Sequence, residues 1–267
     1  MTITDLYQGR VFLILINYKF MALRERGSGF FRYANLFFII SQIFASYISD
    51  LTGYGISMSQ SAQLFPFALL PAAYAFIIWL PLFLGLIAYG LYQFFSNNSS
   101  NVLLDIVGEK TAKAFFIVTL WLLLTQLFDI RESDFIFAIA ALCYCLGAVK
   151  ILSLQYDMLN LPQYCLVYVP ISAYTGWLTV ASLLTISSAL KYSFIENFAL
   201  SDEIVNASIL CAAFCFVLLV FYWLSQNIFY ILPIIWGFIA ISVASQLPDV
   251  KAAAFTCQFL LILMTLG

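Results

Sequence analysis

Histidine is absent from this chain of 267 residues. That removes the commonest axial ligand for haem, the commonest zinc ligand and the usual general base. Charge is also scarce. Asp, Glu, Lys and Arg make up 9% of the sequence, against about 25% in an ordinary soluble domain. A chain this poor in charge cannot cover a water-facing surface, so lipid is its solvent. The net charge of −2 leaves no basic field for nucleic acid. No C-x-x-C pair occurs among Cys143, Cys145, Cys165, Cys211, Cys215 and Cys257. Most of them fall in apolar segments and read as small buried hydrophobes. Cys211 and Cys215 lie one turn apart, but two thiols without further ligands make a weak metal site. There is no nucleophile–base pair and no phosphate-binding loop, so the expectation is that the protein is not an enzyme. Nor is any charge found at mid-span: Asp129, Asp134 and Lys150 sit at segment ends, where snorkelling is cheap. Coupled ion or proton transport is disfavoured on that ground.

What is abundant is apolar. The chain is 64% hydrophobic, with a mean hydropathy of +1.01. Eight continuous apolar runs stand out: Tyr33–Ile48, Ala72–Phe95, Thr111–Asp129, Asp134–Leu154, Val167–Leu190, Ile204–Ser225, Ile228–Ser245 and Ala252–Leu266. The first and last are short. Backbone groups in hydrocarbon need internal partners, so each run must be a helix. Continuous rather than alternating runs exclude a β-barrel. The expected fold is an all-α integral membrane protein, a polytopic bundle of about eight transmembrane helices. Ser96–Lys110 reads as a loop between the second and third spans. The link Ser225–Asn227 is short enough to make the sixth and seventh helices an antiparallel hairpin. Residues 1–32 form a basic arm, whose apolar piece VFLILINYKFM is too short to span and reads as an interfacial helix. Its run Val11–Ile16 is also too short for a cleavable signal.

Orientation follows from the basic residues. With the N-terminus inside, Arg10, Lys19, Arg24, Arg26, Arg32, Lys110, Lys113 and Lys150 collect on the inner side, and only Arg131, Lys191 and Lys251 face out. Eight spans then bring both termini to the cytoplasmic side. The deep polar groups are neutral: Gln42, Thr125, Gln126 and Gln258. They read as interhelical hydrogen bonds worth about 0.6 kcal/mol each.

Aromatics are the other abundance, with 27 Phe, 16 Tyr and 5 Trp. In the second run Ala72, Phe76, Trp79 and Phe83 fall along one helical stripe, just after Pro71. In the fifth, Tyr174, Trp177, Ala181 and Leu184 do the same after Pro170. A mid-span Trp is usually packing. The functional alternative is a flat apolar slot for a planar ligand.

Together these two stretches resemble the tryptophan-rich sensory protein (TspO, or translocator protein) family. Pro71, Tyr74, Phe76 and Trp79 are similar to that family's proline-and-aromatic start of the second helix. Tyr174, Trp177, Ala181 and Leu184 resemble its fifth-helix motif, although Thr185 stands where the family has Asn. Trp121 falls near the family's third-helix tryptophan. The resemblance is closest to longer relatives with helices beyond the fifth. It implies a five-helix core over residues 33–190, with 191–267 as additional helices. It also implies a planar hydrophobic ligand, a tetrapyrrole or a sterol, bound among Tyr74, Phe76, Trp79, Phe83, Trp121, Tyr174 and Trp177. Without histidine, a tetrapyrrole would be held by stacking and shape, or through Tyr or water. The competing expectation is an accessory subunit of a larger photosynthetic or respiratory membrane complex, with no ligand chemistry of its own. Its partners would be lipid, other membrane subunits or a second copy of itself.

Overall fold

The computed structural model describes residues 29–56, 69–95, 101–128, 133–193 and 202–266. The basic arm proposed for residues 1–32 therefore lies almost wholly outside the described residues. Among those described, the secondary structure is helical, with no strand. The long helices are α1 (Phe30–Ser46), α2 (Ala73–Tyr92), α3 (Val102–Phe128), α4 (Asp134–Leu154), α5, α6 (Asp202–Trp223), α7 (Ile228–Ala244) and α8 (Pro248–Leu266). α5 opens with Leu161–Gln163, passes through a π-helical turn at Tyr164–Tyr168 and continues as Val169–Ser193. Six of these helices are long and apolar enough to cross a membrane, while α1 and α7 are apolar but shorter.

Sequence and structure differ most at α3. The helix begins at Val102, not Thr111, so most of the stretch read as a loop is helical. The cause is local. The Asn101 side chain accepts hydrogen bonds from the amides of Leu103 (3.1 Å) and Leu104 (3.3 Å), capping the helix. Asp105 then lies in the first turn, where a carboxylate suits the helix dipole. Leu104 and Val107 are buried, so Asp105 between them and Glu109 and Lys110 just after them do not break the helix. At 27 residues, α3 is about 40 Å long, against a hydrocarbon core of about 30 Å. Its first turns therefore reach the membrane boundary.

The second correction concerns α6 and α7. Ser225 and Gln226 take left-handed backbone angles and turn the chain sharply. Yet the two helices are not a closely packed hairpin, because α8 lies against both and α7 packs mainly on α5. Two glycines explain the α5–α7 seam. A Cβ on Gly176 would collide with the carbonyl of Tyr230, and one on Gly237 would stand 2.8 Å from Val180 Cγ1. Small residues allow such backbone approach within a membrane. Asn227 secures the same seam. It caps α7 by accepting from the amides of Phe229 and Tyr230, and it donates to Ser172 Oγ on α5 at 2.8 Å.

α5 is thereby the central helix, touching α2, α4, α6 and α7. On its far side α3 packs between α1 and α4. A polar network ties α1, α2 and α3 together. Asn35 Nδ2 donates to Gln93 Oε1 and to the Gly108 carbonyl, and Thr111 Oγ1 donates to Asn35 Oδ1 at 2.9 Å. The Tyr89 hydroxyl meets Thr111 Oγ1 at 2.8 Å.

Candidate functional site: an aromatic cluster between the second and fifth helices

The start of α2 is a 3-10 turn, Ala73–Ile78. At three residues per turn, side chains three apart eclipse. Phe76 and Trp79 consequently point the same way, toward α5. Phe76 meets Trp177 edge-on at 6.5 Å, and Trp79 meets Trp177 at 6.1 Å and Tyr174 at 6.4 Å. One turn on, Phe83 stacks on Trp79 with ring centroids 5.1 Å apart. The approach of the two helices is close because Gly85 faces Pro170, where a Cβ would stand 3.2 Å from the proline ring.

Two further helices complete the cluster. Phe115 of α3 contacts Tyr174 at 5.4 Å. From α7, Trp236 packs edge-on against Tyr74 at 5.4 Å and donates its indole N–H to the Ala75 carbonyl at 2.9 Å. The Ala72 amide also donates to the Ala240 carbonyl, so α7 fixes the start of α2 directly. α1 contributes the polar contact: the Tyr174 hydroxyl donates to Gln42 Oε1 at 2.7 Å. Gln42 Nε2 is buried, with no hydrogen-bond partner among the described residues.

Burial is uneven across the cluster. Tyr174 and Trp177 are 0% and 1% exposed. Phe83 is buried as well. Tyr74, Phe76 and Trp79 are half-buried. The α5 rings are enclosed, while the rings at the start of α2 keep part of their surface exposed.

Of the seven residues proposed from sequence, Phe76, Trp79, Phe83, Tyr174 and Trp177 touch one another in a continuous chain of rings. Tyr74 packs instead on Trp236, and no ring contact among the described residues links that pair to the other five. Trp121, on α3, shares the buried core but not the chain of rings. It is buried, its carbonyl accepts from Thr125 Oγ1, and no ring contact among the described residues links it to the cluster. Sequence reasoning did not place Phe115, Trp236 or Gln42 at the site. Gln42 stood out as a deep polar group and Trp236 as a mid-span tryptophan, but nothing in the spacing linked either to α2.

The fold defines a polytopic helical membrane protein with an aromatic cluster between its helices. The chain belongs to the TSPO-like protein family, whose sequence profile matches residues 32–267. The match therefore runs through α6, α7 and α8 as well as the first five helices. No curated protein matches the chain. No solved structure matches it either.

Proposed function

We propose that this protein binds a flat, apolar small molecule of tetrapyrrole or sterol type against the half-buried face formed by Tyr74, Phe76 and Trp79, without enzymatic chemistry. The observation behind this reading is the uneven burial of the cluster. Rings on α5 are locked in place, while Tyr74, Phe76 and Trp79 at the start of α2 keep part of their surface exposed. Aromatic faces suit planar ligands, and a rigid wall behind them lowers the ordering cost of binding. Behind that face, Gln42 accepts the hydrogen bond of the Tyr174 hydroxyl and so helps to fix the wall. On this reading no imidazole is needed, and metal-free rings bind as well as metallated ones. The excess of Lys and Arg on one side supports a topology with both ends of the chain cytoplasmic. The test is an equilibrium titration of the purified protein with a metal-free porphyrin and, separately, with a sterol. Saturable binding of either supports the reading, and binding of neither removes it.

One observation favours the accessory-subunit reading. Along α1 and at its C-cap Tyr47, the exposed residues Phe30, Tyr33, Phe37, Ile40, Phe44 and Tyr47 follow alternating steps of three and four. That repeat is the seam pattern of helix–helix packing. Purification in mild detergent separates the two readings, since a subunit runs within a larger assembly held through this face of α1.

A further inference from the structure

One end of the bundle gathers Arg32 of α1, Asp105, Glu109, Lys110 and Lys113 of α3, and Lys150 of α4. Two pairs cancel: Arg32 with Asp105 at 3.1 Å, and Lys113 with Glu109 at 2.6 Å. Lys110 and Lys150 make no ion pair with a carboxylate among the described residues. The packing of α3 on α4 brings them to one seam. Gly147 leaves a notch in α4 across which Lys110 lies, and a Cβ there would stand 3.4 Å from Lys110 Nζ. Lys150 follows three residues later, on the same face of α4.

Lys150 is further held by α6. Its ammonium donates to the Trp223 carbonyl at the end of that helix and lies 5.2 Å from the centre of the Trp223 ring. Two of its three N–H groups remain for another acceptor. α4 and α6 meet here and hardly elsewhere. Above Trp223, at helical spacing on the same face, Leu219 and Phe216 are exposed. A strip of apolar surface thus leads from the hydrocarbon down to two ammonium groups, with an indole at the boundary, where tryptophan prefers to sit.

We propose that this seam binds an anionic phospholipid. Its phosphate sits between Lys110 and Lys150, and an acyl chain lies along Leu219 and Phe216. Charge selects the occupant: two ammoniums without carboxylate partners among the described residues attract an anionic headgroup near a low-dielectric boundary. The apolar strip distinguishes a lipid from a soluble phosphate, which has no use for it. The site is separate from the aromatic cluster and stands or falls independently of it.

The experiment uses the full chain in mild detergent. Phosphatidylglycerol, phosphatidylcholine with the same acyl chains, and soluble glycerol phosphate are added in turn. Retained lipid is read by native mass spectrometry, and the thermal midpoint is followed in parallel. Phosphatidylglycerol is retained and raises the midpoint, while the other two do neither. Lys110→Gln and Lys150→Gln each weaken retention about fivefold, and Lys251→Gln, at the opposite end of the bundle, leaves it unchanged. Lys110 makes no described hydrogen bond, so Lys110→Gln keeps the fold and decides the matter even if Lys150→Gln is unstable. Equal retention of both phospholipids, an equal effect of glycerol phosphate, or undiminished retention by Lys110→Gln overturns the proposal.

Discussion

The indoles of Trp79 and Trp177 meet at 87°, with ring centroids 6.1 Å apart. An edge-to-face pair of this kind contributes about 0.5–1.5 kcal/mol beyond the area it buries. The two partners have different surroundings: Trp177 is enclosed, while Trp79 is half-buried. They should therefore answer different questions when mutated. Trp177→Ala leaves a cavity at the centre of the bundle and should destabilise by about 3–5 kcal/mol. The measurement is the thermal midpoint in detergent, and a wild-type midpoint would show that α5 is not the packing centre.

The α5–α7 seam should be intolerant of volume. Gly176 has no room for a Cβ, because the Tyr230 carbonyl occupies the space. Gly176→Val forces the helices apart and should cost about 1–3 kcal/mol or more, the usual scale of overpacking. Gly29, with nothing near its Cβ position, is the control. Midpoints measured side by side should fall for Gly176→Val and hold for Gly29→Ala.

The contact between Tyr174 and Gln42 is testable by a double-mutant cycle. Tyr174→Phe, Gln42→Leu and the double variant should give a coupling of about 0.6 kcal/mol, the average for hydrogen bonds between membrane helices. Gln42→Leu should be the milder single change, since it also removes the buried Nε2, which has no partner among the described residues. Strictly additive effects would mean that the bond contributes nothing.

α4 was legible to the residue, because its apolar run is bounded by Asp134 at one end and by the chain's turn after Leu154 at the other. α3 was not. Its start is set by the Asn101 cap, and the acidic and basic residues that follow look like a loop until Leu104 and Val107 are seen to be buried. The aromatic stripes of α2 and α5 were readable because each is a local helical spacing. Which other rings complete the cluster was not. Phe115 and Trp236 reach it through packing between distant segments, and the Gly176–Tyr230 contact that brings α7 there joins residues far apart in the chain. The absence of Trp121 from the chain of rings has the same origin: its position along α3 was visible, its direction was not.

The central claim is that the half-buried face of the cluster receives the ligand, and one comparison tests it most directly. A metal-free porphyrin is titrated into wild type, Trp79→Ala and Trp121→Phe, following porphyrin fluorescence. Losing a buried aromatic contact with a ligand costs about 1–3 kcal/mol, or roughly 5- to 150-fold in Kd. Trp79→Ala should show that loss, and Trp121→Phe, outside the cluster, should bind as wild type does. Unchanged affinity in Trp79→Ala, or a loss confined to Trp121→Phe, would contradict the account.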